Sequence, residues 1–143
     1  MTTEQPRIRQ NYWAILVAAI ACFVLEGVWY TIFQRAWLDG TGRTREWLMG
    51  PGALNPALQY GTALVAAAVM ATAISCVVQL TGAQTVLGGI RAGLLLWLGF
   101  VATVWATEYV FEVRPLSLFA INAGIWLLGM PLMGAIVGGW KKK

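Results

Sequence analysis

Apolar residues come in four long runs, and most polar residues fall between them. The first run covers residues 12–33 and is broken by a single charge, Glu26. The second, rich in alanine, covers about 56–80, the third about 86–111 and the fourth about 116–140. A helix needs about 20 residues, at a rise of 1.5 Å each, to cross roughly 30 Å of hydrocarbon. Every run reaches that length. A lone apolar strand would leave its backbone groups unpaired in lipid, so helix is the state these runs must take there. The pattern predicts an all-α, integral membrane four-helix bundle of up-down topology, one four-span transmembrane domain over residues 1–143.

Boundary residues support these limits. Asn55 and Pro56 supply an N-cap and a first-turn proline for the second helix. Thr81-Gly82 ends it, Thr85 is placed to cap the third, and Pro115 separates the third from the fourth. About five residues join the second and third runs, which predicts a tight antiparallel hairpin. The one long connection, residues 34–55, carries Trp37, Trp47 and Leu48 among charges, then Gly50-Pro51-Gly52. It predicts a short interfacial helix around Thr44 to Met49, lying on the membrane surface and followed by a turn. Ala19-Ile20-Ala21-Cys22 faintly resembles a lipoprotein cleavage box. Apolar sequence continues past Cys22, so the first run is expected to stay as a helix.

Charge and composition add an environment and an orientation. The chain is 59% hydrophobic, with ten Lys and Arg against six Asp and Glu. That is too few charges to solvate a water-soluble surface of this size, and lipid is the expected partner. The net charge of +4 does not point to nucleic acid, because the basic residues are scattered over tails and loops. Lys141, Lys142 and Lys143 are expected to meet anionic lipid at a membrane surface. With the N-terminus inside, Arg7, Arg9, Arg91 and the three lysines lie inside, against Arg35, Arg43, Arg45 and Arg114 outside. The positive-inside rule then predicts both termini in the cytoplasm. Arg91, about five residues into the third helix, is expected to snorkel to the inner headgroups.

Histidine is absent, which removes the usual haem ligand and the commonest proton shuttle. Cys22 and Cys76 have no metal-ligand spacing, and no cofactor is expected. Counted from the same end, Cys22 lies roughly 15 Å deep and Cys76 roughly 6 Å deep at 1.5 Å per residue. They are expected to be unpaired core residues. No nucleophile elbow, phosphate-binding glycine loop or acid–base pair with histidine occurs. A non-enzymatic protein is expected, with lipid or quinone chemistry as the remote exception.

Helices in lipid hold together by close packing, and small residues mark where. Ala63, Ala67 and Ala71 recur at four-residue spacing, and Gly89-x-x-x-Gly93 and Gly134-x-x-x-Gly138 are two GxxxG motifs. They serve either packing within the chain or self-association into a homo-oligomer. Pro131 is expected to kink the fourth helix.

Glu26 is the residue where a function would sit. A charge inside a span costs about 3 kcal/mol on insertion scales. It must face the bundle interior, find a hydrogen-bond partner or take up a proton. Trp29, Tyr30, Thr103, Thr107, Glu108, Glu112 and Asn122 reach the same half of the spans and could converge with it in an outward-opening polar cavity. Three readings follow: structural glue between a protonated Glu26 and Asn122 or an indole, a solute or proton site, and a carboxylate metal site with Glu108 and Glu112. A faint echo relates Glu26-Gly27-Val28-Trp29 to Glu108-Tyr109-Val110-Phe111, as two parallel hairpins would produce.

The run Glu26-Gly27-Val28-Trp29-Tyr30-Thr31-Ile32-Phe33, followed by Trp37, resembles the signature of domain of unknown function family 1761, a group of small bacterial membrane proteins. Leu96 to Thr103 is similar to its third helix. Phe111-Glu112, Arg114-Pro115, Leu118-Phe119 and Ile121-Asn122-Ala123-Gly124 resemble its fourth-helix entry, and Gly134 to Trp140 its close. A proline often follows the Trp-Tyr pair in that pattern; Thr31 and Ile32 stand there here. The resemblance implies four membrane spans and no established activity, and it carries no catalytic residue across; a bacterial inner membrane is the expected location. The expected role is binding or moving a small solute or proton at Glu26; the alternative is a structural or partner-binding subunit that self-associates through its small-residue faces. The ligand itself is not legible.

Overall fold

A computed structural model describes residues 8–141 apart from Gly52 and Leu54. Arg7, Lys142 and Lys143 of the charge balance, and Gly52 of the expected turn, lie outside the described residues. The elements in order are α1 (Tyr12–Ile32), α2 (Gln34–Thr41), α3 (Arg45–Met49), α4 (Pro56–Leu80), α5 (Val86–Leu96), a π-helical segment (Trp97–Ala102), α6 (Thr103–Phe111) and α7 (Leu116–Gly139). The π segment joins α5 and α6 into one continuous span, Val86–Phe111. The four spans have 21, 25, 26 and 24 residues, about 31 to 39 Å of helix at 1.5 Å per residue. Many large apolar side chains point outward along them, among them Ile20, Val24, Val28, Val65, Val69, Leu95, Leu98 and Leu128. Such a surface is stable against lipid and not against water.

The expected capping residues act. Asn55 Oδ1 accepts from the Ala57 N–H at 2.8 Å, and the Thr85 hydroxyl accepts from the Gly88 N–H at 2.9 Å. Gly82 takes a left-handed φ of 68° after α4, which only glycine adopts without a steric cost. Thr44 caps α3, whose Glu46 is fully exposed. The start-of-helix N–H and the Thr44 hydroxyl hold the Glu46 carboxyl below the usual carboxylate range.

α2 was not expected within the long connection. It is amphipathic, it begins directly where α1 ends at Phe33, and Gly42 at φ 67° stops it. The turn between α6 and α7 contains Val113 at φ 54°, 90% exposed. A β-branched residue in the left-handed region costs about 1–2 kcal/mol. Val113→Gly should therefore raise stability by about 1 kcal/mol, net of the added freedom of the unfolded chain. An SDS titration in mixed micelles reads this as a later midpoint, and an unchanged or earlier midpoint would contradict the strain.

α7 lies at the centre. It packs against α5, α1 and α4, and also against α2. Each sequential pair of spans is antiparallel and in contact. The closest approach is between α5 and α7. A Cβ on Gly89 would overlap the Gly134 carbonyl, and one on Gly134 would overlap the Gly89 carbonyl. One on Gly93 would stand 2.5 Å from the Met130 carbonyl oxygen, and one on Gly138 would overlap that of Thr85. The two GxxxG motifs thus face each other inside the chain. The face that could have served self-association is occupied, and Ala67 and Ala71 are fully buried as well. α7 runs through Pro131 without interruption. Cys22 is buried, Cys76 half-buried, and both are free thiols. Arg91 is exposed.

Packing is uneven along the bundle axis. At the end that holds the termini, buried residues come from all four spans: Ala14 to Cys22, Ala67 to Val78, Gly89 to Gly93 and Met130 to Gly138. Side chains close this end. Asn11 Nδ2 donates to the Trp140 carbonyl at 3.3 Å, and Gln84 Nε2 to the last carbonyls of α7, Val137 at 2.8 Å and Gly138 at 3.0 Å. Such carbonyls would otherwise be orphans of the helix end. Toward the end that holds α2 and α3, buried residues among those described come from α7 alone: none lies in α1 beyond Cys22, in α4 before Ala67, or in α6.

Candidate functional site

The candidate site lies in that looser half, where α7 presents three successive residues to its neighbours. The Trp29 indole donates to the Ile121 carbonyl at 3.0 Å, and the Trp97 indole to the Ala123 carbonyl at 2.9 Å. Between them, Asn122 is buried at 9% exposure. Its Oδ1 accepts from the Tyr30 hydroxyl at 3.1 Å, and its Nδ2 donates to the Tyr109 hydroxyl at 2.6 Å. The first and third spans thus grip the fourth through four hydrogen bonds. Rings surround the cluster. Trp105 stacks on Tyr109 with centroids 5.9 Å apart, Tyr109 meets Phe119 edge-on at 5.8 Å, and Tyr30 meets Trp37 at 6.4 Å. Tyr and Trp suit such a place because each has an apolar body and one polar tip to satisfy.

Glu26 faces a groove between α1 and α4 with a volume near 360 Å³. The carboxylate accepts from the Cys22 thiol at 3.7 Å, one turn away on the same helix. Phe23, Tyr30 and Tyr60 supply aromatic lining, and Gln34 and Gln59 supply amides where α2 and α4 begin. Phe23 and Tyr60 meet edge-on at 6.1 Å across the two helices. Tyr30 belongs to both features: its ring lines the groove, and its hydroxyl binds Asn122.

The structure therefore gathers Glu26, Trp29, Tyr30 and Asn122 in one region. It does not bring Thr103, Thr107, Glu108 or Glu112 to them. The hydroxyls of Thr103 and Thr107 donate to carbonyls of their own helix, Gly99 at 2.8 Å and Thr103 at 3.0 Å, and both residues are exposed. Thr107, Glu108 and Glu112 line a separate depression with Val104 and Phe111. Helix rotation explains the difference. Val101, Ala102, Trp105 and Tyr109 are the half-buried positions here, and residues two apart on a helix point about 200° apart. Facing 101 and 105 inward turns 103 and 107 outward. Glu112 instead forms an ion pair with Arg114. Glu26 and Glu108 sit in unlike surroundings, so the sequence echo has no counterpart in the lining of the groove. Among the described residues, no three Cys, Asp or Glu side chains lie close enough to share a metal ion.

The π segment underlies this rotation. Gly89, Gly93, Trp97, Val101, Trp105 and Tyr109 recur at intervals of four. On an α-helix each four-residue step drifts by about 40°, so five steps would carry the stripe roughly 200° round. The wider turn over Trp97–Ala102 takes out much of that drift and keeps the stripe on α7. Phe23, Gln34, Gln59, Tyr60, Trp97 and Tyr109 are the contributors that sequence reasoning missed. The signal for Gln59 and Tyr60 was available, since they are polar or aromatic residues in the opening turn of an otherwise apolar helix. A second cleft, near 330 Å³, holds Trp37, Arg43, Arg114 and Asn122. Its cations already have partners, Arg43 over Trp47 and Arg114 beside Glu112.

Four apolar spans around a polar and aromatic cluster define a small multi-pass membrane protein. Residues 13–138 match the family described as "Protein of unknown function (DUF1761)", and the chain belongs to that family. No curated protein and no solved structure matches it.

Proposed function

We propose that the protein is a non-enzymatic membrane protein that binds a small solute or a proton at Glu26. The observation that carries this reading is the placement of Glu26 in an open groove. A purely structural carboxyl would be sealed among protein donors. Here the lining is aromatic and amide, and the groove lies in the half of the bundle where, among the described residues, only α7 contributes buried ones. Tyr30 connects it to the Asn122 cluster, so an occupant would be felt where three spans meet. The excess of basic residues on the side of the termini supports a cytoplasmic location for both, with the groove in the outer half of a bacterial inner membrane.

Infrared difference spectra of the protein in sealed proteoliposomes test the reading. A step in pH on the side of α2 and α3 should change a carboxyl band that is absent in Glu26→Gln. A step on the side of the termini should leave that band unmoved, because that end is tightly packed. A Glu26 band that answers to neither side would identify the carboxyl as sealed structural glue.

A further inference from the structure

From the make-up of the Glu26 groove, we infer that its ligand is an organic cation with an apolar body. This rests on the reading of Glu26 as an accessible binding residue and names the chemistry of what binds. The groove combines one carboxylate with three aromatic rings, Phe23, Tyr30 and Tyr60, and no basic side chain among the described residues lines it. An anion would meet the Glu26 carboxylate without a counter-charge. A small inorganic cation would have to exchange water for one carboxylate and two amides, far short of the six to eight oxygens that calcium takes. A delocalised or alkylated cation gives up little hydration. It gains both the carboxylate and the negative faces of the rings, an attraction that strengthens away from water. The volume near 360 Å³ falls within the range of small-molecule sites, about 300–1,000 Å³.

Depth separates this ligand from a lipid amine. Glu26 lies six residues before the end of α1 at Ile32, about 9 Å below that end at 1.5 Å per residue. A headgroup amine belongs at the surface, while a cation with an apolar body partitions to this depth. Gly27 leaves the way in. A Cβ there would meet nothing within 4 Å, so the groove has no wall over that position.

The test is equilibrium binding of tetraphenylphosphonium to the full chain in nanodiscs, with empty nanodiscs as background. Wild type should bind saturably. Glu26→Gln should weaken binding at least tenfold, and Glu26→Asp should retain most of it. Tyr60→Leu should weaken it about two- to tenfold through loss of a ring face. Gly27→Leu, which adds bulk at an open position and keeps the carboxylate, should block it. Tetraphenylborate, of the same shape and opposite charge, should stay at background. Equal binding of the two ions, or a Glu26→Gln variant that binds like wild type, overturns the inference. If tetraphenylphosphonium fails to bind while the Glu26 carboxyl band still answers to pH, the cation is lost and the accessible site remains. If both fail, the site itself is lost.

Discussion

Gly89→Leu should destabilise the bundle by about 3 kcal/mol or more, the upper end for an overpacked interior. The reason is geometric. The atom that a Cβ would strike is the Gly134 carbonyl, which belongs to the backbone of α7 and has no rotamer to escape into. The two helices would have to separate, and the packing around Gly93, Met130 and Gly138 would separate with them. Gly134→Leu should behave alike, because its Cβ would strike the Gly89 carbonyl in return. Gly99→Ala is the matched control: nothing lies within 4 Å of a Cβ there. SDS titration of the three variants should give two early midpoints and one close to wild type. If Gly89→Leu unfolds with the wild-type midpoint, α5 and α7 do not meet as described.

Asn122→Leu should cost about 1–2 kcal/mol. Interhelical hydrogen bonds in membranes average about 0.6 kcal/mol and reach about 1.7, and this substitution removes two of them, to Tyr30 and Tyr109. Leucine matches asparagine in branching, so lost volume is a minor part. Tyr30→Phe and Tyr109→Phe should each give a fraction of the effect. Adding either to Asn122→Leu should cost little more, since the bond is already gone. Full additivity in that double-mutant cycle would show that the hydroxyls and the amide act separately.

Hydropathy made the spans legible because the bilayer imposes a length. The helix ends were legible too, since Asn55, Thr85 and Gly82 carry conformational preferences that need no partner. Rotation about each helix axis was not. The expected cavity drew Thr103, Thr107, Glu108 and Glu112 toward Glu26 from shared depth alone, and depth says nothing of direction. The missing information was present as the four-residue recurrence from Gly89 to Tyr109, which an unbroken α-helix could not keep on one side. α2 escaped notice because eight residues beside arginines and an aspartate read as loop until Phe33 and Gly42 are seen to bound them. Asn122 and Glu26 stood out because both are out of place in hydrocarbon, and that mismatch is the part of a membrane site that one chain reveals unaided.

The central position of α7 has a consequence in time. It follows the other three spans in the chain, yet it holds the acceptor carbonyls for Trp29 and Trp97 and the amide that pairs with Tyr30 and Tyr109. Until it arrives, those three spans wait with the Trp29, Trp97 and Tyr30 donors and the Tyr109 acceptor unmatched. Assembly of these four spans is therefore gated by the arrival of α7.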